Sequence, residues 1–375
     1  MNESGTQGGG GPLDFVHTGP GTPAGQYLRR FWQPIYRFED LSAGRAVPVR
    51  VMSEDFTLYR GEAGAPHLLA FRCAHRGTQL STGWVEGDDL RCFYHGWKYD
   101  SGGQCIEQPA EPQAFCDRIK IKSYPVQEYL GYIFAYLGEG APPPLPRFPR
   151  FESGAVEVHS QYLACNYFQR VENALDSVHT AFVHRYPYGF KYGMVGDAKL
   201  RVEESPWGLT LFTHWATGQR AVHHLVMPNV LLIEARAAEE GESPWDLLGW
   251  RVPIDDTCHV SCTVDHAQDV AAAANRYWRS GAERQSLAAV ASEQGEKVVA
   301  GELRIEDVED RRAIFELQDY VAQVGQGVIA DRQAEHAGHS DLAVLAIRKT
   351  WTRELQALAD GQPLTKWAQV IETDD

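Results

Sequence analysis

The chain has 375 residues, 43% of them apolar and 11% aromatic, and a formal net charge of −15 at pH 7. This composition supports a large buried core divided into two domains, and the acidic balance disfavours nonspecific binding to nucleic acid. There is no signal-peptide pattern and no run of about eighteen apolar residues, so neither export nor membrane spanning is expected and a cytoplasmic location is the simplest reading.

Residues 1–18 open with a glycine tract ending at Pro12 and are expected to be flexible. Thr22 and Pro23 suit an N-cap and first helical position for a helix over Ala24–Trp32, within a segment 19–45 that packs on the C-terminal part. From 46 to 141, short apolar runs such as Val47–Met52, Phe56–Tyr59, His67–Phe71 and Tyr132–Leu137 alternate with turn residues and read as strands. Pro142-Pro143-Pro144-Leu145-Pro146 lies in a stiff, polyproline-type linker over 142–150.

The strand-rich segment contains Cys73-Ala-His75 and Cys92-Phe-Tyr-His95, two thiols and two imidazoles separated by sixteen positions. This set matches a Rieske [2Fe-2S] centre, where two histidines replace two cysteines on one iron. A closed tetrahedral zinc site is the alternative. Each pair runs into a glycine turn, at Gly77 and Gly96, where backbone N–H groups can approach cluster sulfurs, and this favours the cluster. Arg72, Arg76, Arg91 and Lys98 gather around the ligands and suggest a docking patch for an acidic electron donor. Cys105, Cys116, Cys165, Cys258 and Cys262 are expected to be reduced, packed thiols. Alternation along a strand separates Cys258 and Cys262 from His259, which argues against a metal site there.

Beyond the linker, residues 151–375 have to account for a chain far longer than an electron relay requires. The run Asn173-Ala-Leu-Asp176-Ser-Val-His179-Thr-Ala-Phe-Val-His184 places two histidines beside a carboxylate in one helix-like stretch. Two imidazoles and a carboxylate form the facial triad of non-haem iron(II) oxygenases. On a helix Asn173, Asp176 and His179 share a face, but His184 lies about 140° from His179. Both can meet one metal only if a π-type bulge or helix end falls within 179–184. Val156–Tyr162, Leu209–Trp215, Ala221–Val226, Val230–Ala235, Leu247–Val252 and His259–Val264 read as an antiparallel sheet, with helices around 268–279, 284–300, 309–324 and 340–359. His214, His223 and His224 are candidate polar groups of a pocket between sheet and helices. In the 309–324 helix, Asp319 stands off the apolar stripe Ala313, Ile314, Leu317, Val321, Val324.

The stretch Cys73–Glu111, with Val85-Glu86-Gly87-Asp88 and Arg91-Cys92-Phe-Tyr-His95-Gly-Trp-Lys-Tyr99-Asp100, resembles the Rieske domain of ring-hydroxylating oxygenase α subunits, and most resembles the phthalate and phenoxybenzoate dioxygenase branch. The resemblance covers nearly the whole chain from about Gly19. It implies an α+β fold: an N-terminal all-β Rieske domain and a C-terminal catalytic domain with an antiparallel sheet wrapped on helices, helix-grip-like. It further implies His179, His184 and Asp319 as ligands of a mononuclear Fe(II), ahead of Asp307 and Asp310, with Asn173 and Asp176 beside them and Asp176 orienting His179. Val324 stands where the branch often carries glutamate. The implied assembly is a homotrimer in which Asp176 bridges His95 of one subunit to His179 of the next. Implied partners are O2, a small aromatic substrate, and a ferredoxin and/or flavin-dependent reductase carrying electrons from NAD(P)H. The implied reaction is ring dioxygenation, or monooxygenation leading to O- or N-dealkylation. A pure electron carrier and a zinc-bound interaction module are the competing readings.

Overall fold

The computed structural model describes residues 14–184, 198–236, 245–267 and 280–372. Apolar alternation produces strands where it was expected, and the fold is α+β. Four strands, β2 (Arg45–Val51), β3 (Glu54–Arg60), β4 (Pro66–Ala70) and β9 (Ser123–Tyr124), form one antiparallel sheet. Against it lies a smaller sheet of β5 (Trp84–Glu86), β6 (Asp89–Arg91), β7 (Lys98–Tyr99) and β8 (Cys105–Glu107). Tyr59, Leu69, Leu80, Leu90, Trp97 and Tyr99 close a private core between them.

β1 (Gln33–Arg37) pairs with β11 (Tyr132–Ala135), which pairs with β10 (Val126–Tyr129), and this three-stranded ribbon joins the two halves of the molecule. Its Phe134 packs edge-on against Trp250 of the large sheet at 5.3 Å. The large sheet is antiparallel throughout, in the order β12 (Ala155–Leu163), β18 (His259–Ala267), β17 (Trp245–Pro253), β16 (Val230–Arg236), β15 (Arg220–Val226), β14 (Gly208–His214), β13 (Lys199–Ser205). One face meets the ribbon. The other carries α2 (Tyr167–Asn173), α4 (Ile314–Val324) and α5 (Leu342–Ala359), while α3 (Gly281–Val299) runs along the edge strand β12, bonding its backbone through Gln285 and Ser292.

Several boundaries differ from expectation. The N-terminal helix α1 spans only Pro23–Leu28, capped by Thr22, whose hydroxyl accepts from Gly25 N–H. Residues 14–18, grouped with the flexible start, dock on α2: Phe15 stacks on Phe168 at 4.2 Å and its carbonyl accepts from Tyr167 Oη. Residues 1–13 and the helix expected over 268–279 lie outside the described residues. In the proline run, Pro143 O accepts from the Trp32 indole at 2.8 Å, anchoring it to the segment after α1. No helix among the described residues is long and apolar enough to cross a membrane.

Candidate metal centres and electron path

The two Cys/His pairs sit at the tips of facing turns. Cys73 N–H donates to Thr78 O at 2.8 Å and Gly77 N–H returns to Cys73 O at 2.9 Å; in the second turn, Cys92 N–H donates to Trp97 O at 2.8 Å and Gly96 N–H to Cys92 O at 3.1 Å. Gly77 and Gly96 close these turns at φ +74° and +75°, a conformation that L side chains rarely adopt. The thiols are buried, whereas His75 and His95 are partly exposed, their ring centroids 4.4 Å apart. His75 stacks flat on the buried Trp97 indole at 4.6 Å, and Tyr99 Oη lies 3.2 Å from Cys73 Sγ.

Among the described residues, His179, His184 and Asp319 each bring a donor atom to within 4.8 Å of the others. The Cys73, His75, Cys92 and His95 donors sit as two buried thiols and two neighbouring imidazoles on facing turns. They suit two irons, one taking sulfurs and the other imidazoles.

The basic patch is smaller than the sequence suggests. Arg91 donates to both Glu86 oxygens at 2.7 and 2.8 Å and to Glu107 at 2.7 Å, and Lys98 lies 3.1 Å from Asp89 and 3.4 Å from Glu86. These two cations are neutralised by strands β5 to β8. Arg72 and Arg76 remain exposed, Arg76 over the Tyr94 ring at 5.5 Å, and Trp84, Phe93 and Tyr94 expose 51%, 58% and 55% of their surface.

On the catalytic side, the helix-like stretch expected over 173–184 is broken earlier than the bulge or helix end expected within 179–184. α2 ends at Asn173; Ala174, Leu175 and Asp176 then donate to Val171, Glu172 and Asn173 carbonyls in tight three-residue turns. A 3₁₀ turn follows over Val178–Ala181, and Asp176 Oδ1 accepts from its His179 N–H at 3.3 Å. The Asp176 side chain competes for backbone donors and favours a new turn over continued helix. Ser177 Oγ, bonded to Thr213 Oγ1 at 2.6 Å, ties this turn to β14.

The turn carries His179, and the chain beyond it places His184 against α4. His184 Nε2 lies 3.3 Å from Asp319 Oδ1, and His179 Nε2 lies 3.7 Å from the same oxygen. His184 Nε2 and Asp319 Oδ1 are both buried and neither has a hydrogen-bond partner. Two orphaned donors of opposite type converging with a second imidazole fit a bound iron(II). Gln318 Oε1 accepts from His184 Nδ1 at 3.1 Å, fixing the tautomer whose Nε2 lone pair faces that point. Asp319 Oδ2 accepts from Arg170 Nη1 at 2.9 Å. Burial alone would raise the Asp319 carboxyl, but Arg170 and the two imidazoles hold it well below the usual carboxylate range. Burial opposes charge on both Asp176 and His179, yet their mutual attraction prevails, lowering the first and raising the second. Asn173 Nδ2 stands 3.4 Å from the His179 ring nitrogens.

Asp307 and Asp310 are instead engaged on the surface by Arg304 and Arg312. Val324 packs beside Leu163, Cys165 and Tyr320 where the branch often carries glutamate. Sheet register separates the three histidine candidates. His223 shares the helix-facing side with Thr213, Leu211, Ile233 and Leu247; His224 is buried on the opposite side, bonded to Thr210 at 2.9 Å and lowered by burial to about 4; His214 is exposed. Cys262 faces Pro34 of the ribbon while His259 bonds to Cys165 O at 2.8 Å, so strand alternation keeps them apart. Sequence reasoning passed over Arg170 and Gln318. The available signals were a lone cation three residues before Asn173 and a carboxamide adjoining Asp319.

The Rieske [2Fe-2S] domain family matches residues 31–125. Over 373 residues the chain is 30% identical to the 5,5'-dehydrodivanillate O-demethylase oxygenase subunit of Sphingobium sp. (strain NBRC 103272 / SYK-6), spanning 93% of this chain and 80% of that protein. The chain belongs to the Rieske non-haem iron oxygenases. It is also 30% identical to the phenoxybenzoate dioxygenase subunit alpha of Ectopseudomonas oleovorans, over 91% of this chain and 84% of that one. The fold matches NdmA of Pseudomonas putida CBB5 with a TM-score of 0.67 at 19% identity, covering 90% of this chain and 94% of that one. This Rieske oxygenase is therefore a terminal oxygenase subunit whose cofactors are a [2Fe-2S] cluster and a mononuclear iron, and it depends on a redox partner. Matches to oxygenase subunits along 93% of its length weigh against a pure electron carrier.

Proposed function

We propose that this chain hydroxylates a small aromatic compound, with Cys73, His75, Cys92 and His95 holding the cluster and His179, His184 and Asp319 holding the mononuclear iron. The convergence of these last three donors within 4.8 Å carries the reading. Iron held by two imidazoles and one carboxylate keeps positions open for dioxygen chemistry, and the cluster supplies electrons singly. The protein's own groups prepare the site. Gln318 holds His184 by Nδ1, Asp176 and Asn173 flank His179, and Ser177 fixes their turn to the sheet. Across the site, Leu211, Ile233 and Leu247 form an apolar row on neighbouring strands that suits an aromatic ring, with His223 as the polar member.

Electrons reach the cluster from NAD(P)H through a ferredoxin and/or flavin-dependent reductase, and the exposed Arg72, Arg76, Phe93 and Tyr94 beside the cluster suit such docking. The active assembly is a homotrimer in which Asp176, one-third exposed, links His179 to His95 of a neighbouring subunit. The names of the relatives, an O-demethylase and a phenoxybenzoate dioxygenase, direct attention to aryl ethers bearing a carboxylate. Demethylation of such a substrate consumes O2, two electrons and two protons, placing one oxygen in the methyl group and the other in water; the hemiacetal then releases formaldehyde and a phenol. The test is an iron count on loaded protein, followed by O2 uptake and product analysis with a methoxybenzoate. Three irons per chain with formaldehyde release is the expected result. Two irons and no substrate-dependent O2 uptake would refute the assignment.

A further inference from the structure

Each of the three converging donors is held from behind, and Arg170 ties the helix that carries Asp319 to the end of α2 that leads into His179. Arg170, on the last turn of α2, is buried with 12% of its side chain exposed. Its Nη1 donates to Asp319 Oδ2 at 2.9 Å, across 149 residues, and to Asn173 Oδ1 at 3.1 Å. Asn173 in turn presents its amide 3.4 Å from the His179 ring. Asp319 Oδ1 is left with no hydrogen-bond partner, close to both His184 Nε2 and His179 Nε2.

A carboxylate can bind a metal through one oxygen or two, and the second mode fills a coordination position. Charge-assisted bonding of one oxygen to a guanidinium favours the first mode and fixes the orientation of the other oxygen. Resting on the iron assignment above, the structure assigns Arg170 as the positioning residue that commits Asp319 to one-oxygen ligation and, through Asn173, locks the α2 and α4 segments in a shared register. Arg170 thereby preserves a position for dioxygen, without itself touching substrate. A lysine there supplies the charge without the planar guanidinium that fixes the direction of the bonds to Asp319 and Asn173.

The test uses full-length protein stripped of mononuclear iron and still carrying its cluster, with cluster absorbance as the internal control for folding. Fe(II) affinity is measured by chelator competition, and nitric oxide serves as the probe for an open position, read by electron paramagnetic resonance. Partners of metal ligands typically contribute about 10- to 100-fold in affinity. Arg170→Gln is expected to weaken Fe(II) binding by about that factor and to alter the nitric oxide signal, with Arg170→Lys recovering part of the affinity and cluster absorbance unchanged in both. Parent-like affinity and an unaltered signal in Arg170→Gln overturn the proposal. So does an equal loss in both variants, or a loss that tracks with cluster absorbance, since either marks a packing role. His179→Ala serves as the control: iron bound there with parent affinity would sink the underlying iron assignment rather than the role of Arg170.

Discussion

Tyr99 shows how one hydroxyl can set the chemistry of the cluster. Its Oη lies 3.2 Å from Cys73 Sγ and accepts the Ala74 N–H at 3.1 Å. Burial, then the neighbouring Cys73 sulfur, pushes the phenol well above its ordinary value, so it stays protonated and donates toward the sulfur. A donor to a ligand sulfur stabilises the more negative, reduced cluster. Tyr99→Phe is therefore expected to lower the cluster's reduction potential while leaving the iron-to-sulfide ratio and the fold intact, as read by redox titration. An unchanged potential would mean that the hydroxyl serves only Ala74. At this scale the sequence was legible where spacing itself carries chemistry, as with Cys73, His75, Cys92 and His95, and with His179 and His184. Asp319 was one acid among fifty and was reached only through resemblance. Arg170 and Gln318 were passed over because their meaning lies in partners 149 and 134 residues away.

Helix α4 places Asp319, and its position depends on how closely α3 can approach. Gly295 of α3 faces Tyr320, the residue after Asp319; a Cβ there would stand 2.3 Å from Tyr320 Cδ1. Tyr320 is fully buried against Leu163 and Cys165, so it has little room to yield. Alanine in place of glycine inside a helix gains up to about 1 kcal/mol in propensity, whereas overpacking costs about 1–3 kcal/mol. With Tyr320 walled in, the second effect is expected to win. Gly295→Ala should lower the thermal midpoint and reduce iron content per chain, with the cluster retained. Unchanged iron content would show that α4 is held chiefly by the Arg170–Asp319 pair and not by this contact. Elements were legible where apolar alternation was long: the central strands of the large sheet agree with expectation within a few residues. β13 escaped because an edge strand needs few apolar positions, here Leu200 and Val202 among charges. α2 was read as too long because residues 174–184 keep a helical apolar pattern while Asp176 redirects the backbone.

At the scale of the whole molecule, the proposed trimer can be tested from its exposed surfaces. Near the cluster ligands Trp84, Phe93, Tyr94, Arg72 and Arg76 are exposed; in the catalytic part Phe182, Val328, Ile329 and Asp331 are exposed and Asp176 is partly exposed. Apolar patches edged by opposite charge are suited to meet. In a closed cyclic trimer, each tip would face the iron site of the next subunit. This arrangement can be separated from electron transfer within one chain by mixing two inactive proteins. On the proposed assignment, Cys92→Ala lacks the cluster but keeps the iron ligands, and Asp319→Ala keeps the cluster but lacks one iron ligand. If electrons stay within a chain, no mixture can work, because neither polypeptide contains both centres. If they cross between subunits, an Asp319→Ala chain can feed a neighbouring Cys92→Ala chain. After random reassembly of equal amounts, about a quarter of the ordered neighbour pairs have that arrangement. Co-refolded or co-expressed mixtures should therefore recover about a quarter of the parent turnover, measured as coupled O2 uptake and product. Adding Asp176→Asn to the cluster-lacking chain should abolish the recovery while iron content persists, because the proposed bridge from His179 toward the neighbouring His95 would be lost on the accepting side. A mixture as inactive as its components, with mixed trimers present by mass, would place the electron path inside a single chain.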